Sequence, residues 1–247
     1  PTMRIDRIEI THHRIDLDPP FPAAWDSRPR TAFEATIVRV YIDAGLCGIG
    51  SGTGMAGFEP YTDLFLGHEA LDVERHHAVL ANIEFHAGRC WPLDVALWDL
   101  KGKAEGKPVH ALLGGKTERL RAYASTGVLR DPPAMVEQAR RFIGLGFRAM
   151  KIRFGQGNAD GDWRRDIAVV EAVRAAVGDS LDIMVDCNQG WRMPWDTAPP
   201  WDLRQATDVA GALESLDVHW MEEPLHRGDY AAMTALLQYA GVEAGSG

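Results

Sequence analysis

Lys151 and Arg153 stand two residues apart, as do Asp186 and Asn188, and the acidic pair Glu222-Glu223 runs into Pro224. Residues two apart on a strand project to the same side. If each stretch ends a strand, its polar groups are delivered together. Two carboxylates from neighbouring strands can converge on one hard cation, with the Lys/Arg pair one strand away to hold an anion or move a proton. Oxygen ligands without a nearby Cys or His motif favour magnesium over zinc. Each stretch also has a plainer explanation. Lys151 and Arg153 could be solvated charges, Asp186 a turn cap, and Glu222-Glu223 an exposed acidic bend. The functional reading is favoured because the charges end three consecutive apolar runs at the same depth.

The elements that must position these groups change character along the chain. Arg4-Ile5-Asp6-Arg7-Ile8-Glu9-Ile10 alternates like a half-buried strand. A second strand is expected over 35–42, turning through Asp43-Ala44-Gly45 into a third over 47–50. The stretch 19–30, with four prolines, argues against a helix. Its aromatics and arginines, Trp25 and Arg28 among them, suit a lid, although a plain surface loop would read the same way. Helices follow over 71–86 and 92–106, making residues 1–119 an α+β domain. From about residue 120 strands and helices alternate. Strands are expected over 121–125, 148–152, 181–185, 219–221 and 242–244, with helices over 133–145, 162–177, 203–216 and 230–239. That order implies a parallel sheet over 120–247, either a (β/α) barrel or a doubly wound fold. No Gly-x-Gly-x-x-Gly follows the early strands, which lowers the dinucleotide-binding reading.

Composition excludes further classes. The 247 residues are 46% hydrophobic and 25% charged, enough to bury a full core. No stretch reaches the roughly 18–20 apolar residues of a membrane span, and Pro1-Thr2-Met3-Arg4-Ile5-Asp6 has no apolar signal region. Neither a membrane nor a secretory route is expected. A net charge of −9 without a basic stripe argues against nucleic acid as a partner. The same charge means that a site for an anionic substrate needs local cations. Cys47, Cys90 and Cys187 lack metal spacing and fit a reducing, cytoplasmic compartment.

The segment Leu93-Asp94-Val95-Ala96-Leu97-Trp98-Asp99-Leu100-Lys101-Gly102-Lys103, continuing to Lys107-Pro108 and Leu112-Leu113-Gly114-Gly115, resembles a signature of the mandelate racemase/muconate lactonizing enzyme family of the enolase superfamily. Met150-Lys151-Ile152-Arg153, Val185-Asp186-Cys187-Asn188-Gln189-Gly190-Trp191 and Trp220-Met221-Glu222-Glu223-Pro224 resemble its barrel motifs in the same order. The resemblance implies an α+β capping domain over a modified (β/α) TIM-type barrel, a Mg²⁺ cofactor, and lid closure near Trp25 to Arg30. It matches Asp186 and Glu222 to two metal ligands, Asn188 to a position close to metal and substrate, and Glu223 to a supporting role. Such an enzyme removes the proton beside a substrate carboxylate. The metal stabilises the enediolate that forms.

Two departures bear on the chemistry. In many relatives the catalytic lysine is the second of a Lys-x-Lys pair, and here that position is Arg153, which stays protonated. Arg153 is therefore expected to bind the substrate carboxylate. Lys151 remains a candidate base, its pKa lowered by the nearby cation, beside a base from the opposite side of the barrel such as a histidine. A TIM barrel also takes roughly 250 residues, and only about half of that follows residue 119. The C-terminal half of the barrel is expected to be absent from this chain. With it would go a third ligand due directly after Gly247 and any histidine–aspartate dyad. One base and one acid suit dehydration of a sugar acid, with racemisation, epimerisation or cycloisomerisation as alternatives. The alternative of another class is an inactive fragment or catalytically dead relative. The expected partner is a small-molecule carboxylate, and family resemblance implies a homo-oligomer when full length.

Overall fold

A computed structural model describes residues 3–23, 28–155, 162–190, 199–239 and 243–245. The chain divides into two compact units, Pro1–Pro19 with Thr31–Arg119 and Pro20–Arg30 with Leu120–Gly247.

A three-stranded sheet opens the chain, in the order β1 (Ile5–Phe21), β2 (Arg30–Ile42), β3 (Cys47–Gly52). On β2, Val38, Val40 and Ile42 are buried at every second position, the alternation that a half-covered strand requires. The hairpin to β3 closes at Gly45, whose φ of +82° is open to glycine and whose N–H donates to Ile42 O at 3.0 Å. β1 runs far beyond residue 10, through Pro19 and Pro20, and β2 begins at Arg30 rather than 35. The prolines exclude a helix, but not a strand at a sheet edge, where no ladder N–H is missed.

Helices α1 (Val73–Ala87) and α2 (Trp91–Glu105) and the single turn α3 (Val109–Leu112) follow. Asp72 caps α1 by accepting from Arg75 N at 3.2 Å, and left-handed Gly106 ends α2. Leu93, Ala96, Leu97 and Leu100 of α2 are buried in one core with Val38, Val40, Phe58 and Phe65. The helix lies directly on β3 because Gly48, Gly50 and Gly52 alternate along it. A Cβ on Gly48 would lie 2.1 Å from Ala96 O, and one on Gly50 2.0 Å from Pro92 O. Asp99 Oδ2 accepts the β3 amide of Ile49 at 2.7 Å, and Lys103 Nζ donates to Cys47 O at 2.8 Å and to Asp99 Oδ2 at 2.7 Å.

The second unit alternates β4 (Ala124–Ser125), α4 (Pro132–Gly144), β5 (Ala149–Arg153), α5 (Arg164–Val177), β6 (Asp182–Asp186), α6 (Leu203–Ser215), β7 (Val218–Glu222), α7 (Tyr230–Tyr239) and β8 (Glu243–Gly245). The five strands lie side by side in chain order and every adjacent pair is parallel. Among the described residues the strand order does not reverse, as in a barrel and unlike a doubly wound sheet. β4 is shorter than the expected 121–125, and Arg121 instead sends its guanidinium to Arg148 O and the Asp182 carboxylate. Met150, Ile152, Ile183, Val185 and Met221 are fully buried in a core with Val170 and Val173 of α5 and Val209 and Leu213 of α6. The opposite sheet face carries the intervening residues, including Lys151, Arg153 and Asp186. Among the described residues, no helix is long and apolar enough to cross a membrane.

Candidate active site

The parallel register brings the charged strand ends abreast. Arg153 of β5 pairs with Asp186 of β6, Asp186 with Glu222 of β7, and Glu222 with Gly245 of β8. This alignment depends on an irregularity. β7 pairs Val218 with Ile183 but Met221 with Val185, so it carries one extra residue between them. Without that residue Met221 would stand beside Asp186 and Glu222 would turn to the helix side. The bulge flips the parity of the strand and re-aims one carboxylate. Its trace in the sequence is the pair of buried positions Val218 and Met221 three apart, where a regular strand would place them two apart.

The charges interlock. Lys151 is only 3% exposed, and its ammonium contacts Glu222 Oε2 and lies 3.6 Å from Asp186 Oδ2. Arg153 Nη1 approaches the same Asp186 oxygen at 2.6 Å. Burial and Arg153 both work against the charge on Lys151. The hydrogen bond to Glu222 and the charges of Asp186 and Glu222 outweigh them, and the lysine pKa is raised above its ordinary value. This reverses the expectation of a lowered pKa, because two carboxylates facing the ammonium count for more than one guanidinium beside it. Burial lifts the Asp186 pKa and Glu222 adds to the lift, against Arg153, Lys151 and the Asn188 N–H.

Backbone pairing continues past the strands. Phe154 N donates to Asp186 O at 2.8 Å, Cys187 N to Glu222 O at 2.8 Å and Gln189 N to Glu223 O at 3.0 Å. Two non-glycine residues here are left-handed, Asn188 at φ +53° and Glu223 at φ +50°. Both are buried, and the Glu223 side chain crowds Gly190, where an added Cβ would lie 2.9 Å from Glu223 Cδ. Buried residues held in a sparsely populated conformation cluster at functional sites.

Sequence reading missed Thr126, Tyr123 and Trp220. The Thr126 hydroxyl accepts Arg153 N at 2.9 Å. The Tyr123 and Trp220 rings meet edge-on at 5.9 Å, with the Lys151 ammonium 5.5 and 5.6 Å from their centroids. Position two before Lys151's partner Glu222 was the available signal for Trp220; nothing local marks Tyr123. Arg28 is exposed in the stretch Pro20–Arg30, and Trp25 lies outside the described residues. Cys187 is buried, and its thiol is pushed well up by burial and the surrounding carboxylates.

The donor set suits a hard divalent cation. Asp186 and Glu222 are register partners that already share one cation, the Lys151 ammonium. Among the described residues, no group of three or more His, Cys, Asp or Glu forms. Mg²⁺ is commonly held by one or two carboxylates with water completing the shell.

Both units match known domains. Residues 6–114 match the mandelate racemase / muconate lactonizing enzyme N-terminal domain, and residues 134–244 the enolase C-terminal domain-like model. D-galactarolactone cycloisomerase of Agrobacterium fabrum is 30% identical over 89% of this chain and 57% of its own length. L-talarate/galactarate dehydratase of Salmonella typhimurium is 28% identical over 85% of this chain and 54% of its own. A crystal structure of a racemase from Streptomyces coelicolor with bound magnesium superposes with a TM-score of 0.79, at 28% identity, covering 98% of this chain and 69% of that one. The chain thus spans little more than half the length of these two curated relatives. With both of its domains matched in order, the chain belongs to the mandelate racemase/muconate lactonizing enzyme family of the enolase superfamily.

Proposed function

We propose that this chain is part of a magnesium-dependent enzyme that removes the proton α to a carboxylate, and that the reaction is dehydration of a sugar acid. Residues 1–119 serve as capping domain and 120–247 as the first half of the barrel. The observation that carries this reading is the alignment of Arg153, Asp186 and Glu222 on three adjacent strand ends, with Lys151 between the two carboxylates.

In this reading Asp186 and Glu222 hold Mg²⁺. When bound, the ion supplies the positive charge that offsets the second negative charge on the substrate carboxylate as the α-proton leaves. Arg153 keeps its proton at any working pH and binds or steadies the carboxylate. Lys151, placed between the two carboxylates, serves as a fixed cation or proton donor. The base then comes from another side of the substrate. One base opposite one acid matches loss of water from a hydroxylated acid better than the two-lysine exchange of a racemase. Arg28 is a substrate contact, and Glu223 supports Glu222 from the next position.

Two named relatives act on sugar acids or their lactones by their descriptions, and this favours the substrate class. The test uses the full-length protein carrying this sequence, incubated in deuterated water with a panel of sugar acids. Loss of water with formation of a 2-keto acid is expected. The variant Asp186→Asn should lower turnover on the order of 10³-fold with the fold retained. Deuterium uptake without loss of water would instead assign a racemase or epimerase, and unchanged turnover in Asp186→Asn would remove the metal assignment.

A further inference from the structure

Asn188 stands out among the site residues because both ends of its carboxamide are engaged by the protein. It is 1% exposed and sits two residues past the end of β6 with φ +53°. That conformation suits Asn better than most side chains, and it turns the carboxamide back over β5. Nδ2 donates to Phe154 O at 3.1 Å and to Asp186 O at 3.2 Å. Oδ1 accepts from Arg153 Nη1 at 3.4 Å, the same nitrogen that contacts Asp186 Oδ2. The Asn188 backbone N–H donates to the other Asp186 oxygen, Oδ1, at 3.1 Å. The chemistry of the partners fixes the amide orientation. Turned over, the amide would set its oxygen against two carbonyl oxygens and its N–H groups against a guanidinium.

We infer that Asn188 is a positioning residue that fixes Asp186 and Arg153 relative to each other, and not a donor to the substrate. The amide nitrogen has two protein acceptors within reach and the amide oxygen one protein donor. A substrate hydroxyl would have to displace one of these carbonyls to receive an N–H. One side chain therefore ties the end of β5 to the end of β6, and its own backbone aims the carboxylate that β6 presents. The part of this inference that concerns substrate rests on the proposed function; the part that concerns Asp186 does not.

The experiment uses the full-length protein and two variants. Asn188→Gly keeps access to the left-handed conformation but removes the carboxamide. Asn188→Ser puts one hydroxyl donor in place of two amide hydrogens, and it serves as well should the glycine variant not fold. Mn²⁺ is titrated by electron paramagnetic resonance as the probe of Asp186. Groups that orient a metal ligand alter affinity about 10- to 100-fold when removed. A loss of that size is expected in Asn188→Gly, with Asn188→Ser between it and wild type. Unchanged Mn²⁺ affinity in folded variants overturns the inference. Exchange of the α-proton in deuterated water is then compared between a 2-hydroxy acid and its 2-deoxy analogue. Positioning lowers both rates by the same factor. A fall confined to the hydroxylated acid assigns Asn188 to the substrate and also overturns the inference. Should wild type exchange neither acid, the proposed function fails while the Mn²⁺ titration still decides the role of Asn188.

Discussion

Replacing Lys151 by methionine isolates the charge balance at the strand ends. Methionine keeps an unbranched apolar stem of similar volume, so little cavity opens. What is lost is an ammonium in contact with Glu222 and 3.6 Å from Asp186. Asp186 retains Arg153 at 2.6 Å, and the Glu222 side chain, 20% exposed, is left with water. Removing one partner of a buried ion pair costs about 3–5 kcal/mol. Partial exposure of Glu222 and the surviving Arg153 contact reduce this to about 2–3 kcal/mol. At about 2–4 °C per kcal/mol for a domain of this size class, calorimetry at pH 7 should record a fall of about 4–12 °C in the transition of the second unit. The folded pKa of Lys151 is raised, so its stabilisation is fully present below the unfolded pKa and is lost as pH rises through the folded one. The difference between wild type and Lys151→Met should therefore persist through neutral pH and narrow only under strongly alkaline conditions. Adding Glu222→Gln to Lys151→Met should recover part of the loss. A Lys151→Met protein as stable as wild type at pH 7 would refute the reasoning, because the carboxylates would then need no counter-charge.

Two further outcomes test the first unit. In Gly50→Ala the new methyl carbon would meet Pro92 O at 2.0 Å and Ala96 N at 2.8 Å, both backbone atoms. The cost should exceed the about 1–3 kcal/mol of ordinary overpacking, and a urea melt that leaves the first unit's midpoint unchanged would contradict the close contact of helix and strand. His76 is buried, which lowers its pKa against the bond to Glu69 O, with Arg75 acting in the same direction as burial. The unfolded chain takes up that proton below about pH 6.5, so this part of the stability is present above that pH and lost as pH falls. His76→Gln can still donate to Glu69 O and should flatten the decline in melting temperature between about pH 6.5 and 5; an unaltered slope would exclude His76 as its source.

Much of the site could be read from spacing because the strand period is two residues. Lys151 and Arg153 had to share a face, and charges ending successive apolar runs had to meet at one end of a parallel sheet. What could not be read depended on partners distant in sequence. The bulge that turns Glu222 inward exists only in the pairing of β7 with β6. The direction of the Lys151 pKa is set by a carboxylate 71 residues away. The length of β1 was hidden by Pro19 and Pro20, whose effect on a strand depends on whether it lies at an edge. Gly48, Gly50 and Gly52 alternate in plain view, but only the structure reveals that a helix backbone fills the space beside them.

The family signature in α2 acquires a physical meaning from the contacts of Asp99 and Lys103. β3 is an outer strand of its sheet, and an outer strand offers unpaired amides and carbonyls to any other chain. Asp99 occupies the amide of Ile49, Lys103 the carbonyl of Cys47, and the two side chains hold each other. A neighbouring polypeptide trying to extend the sheet would have to displace an ion pair from those groups. Asp99 and Lys103 thus close these two groups of β3 to strand addition.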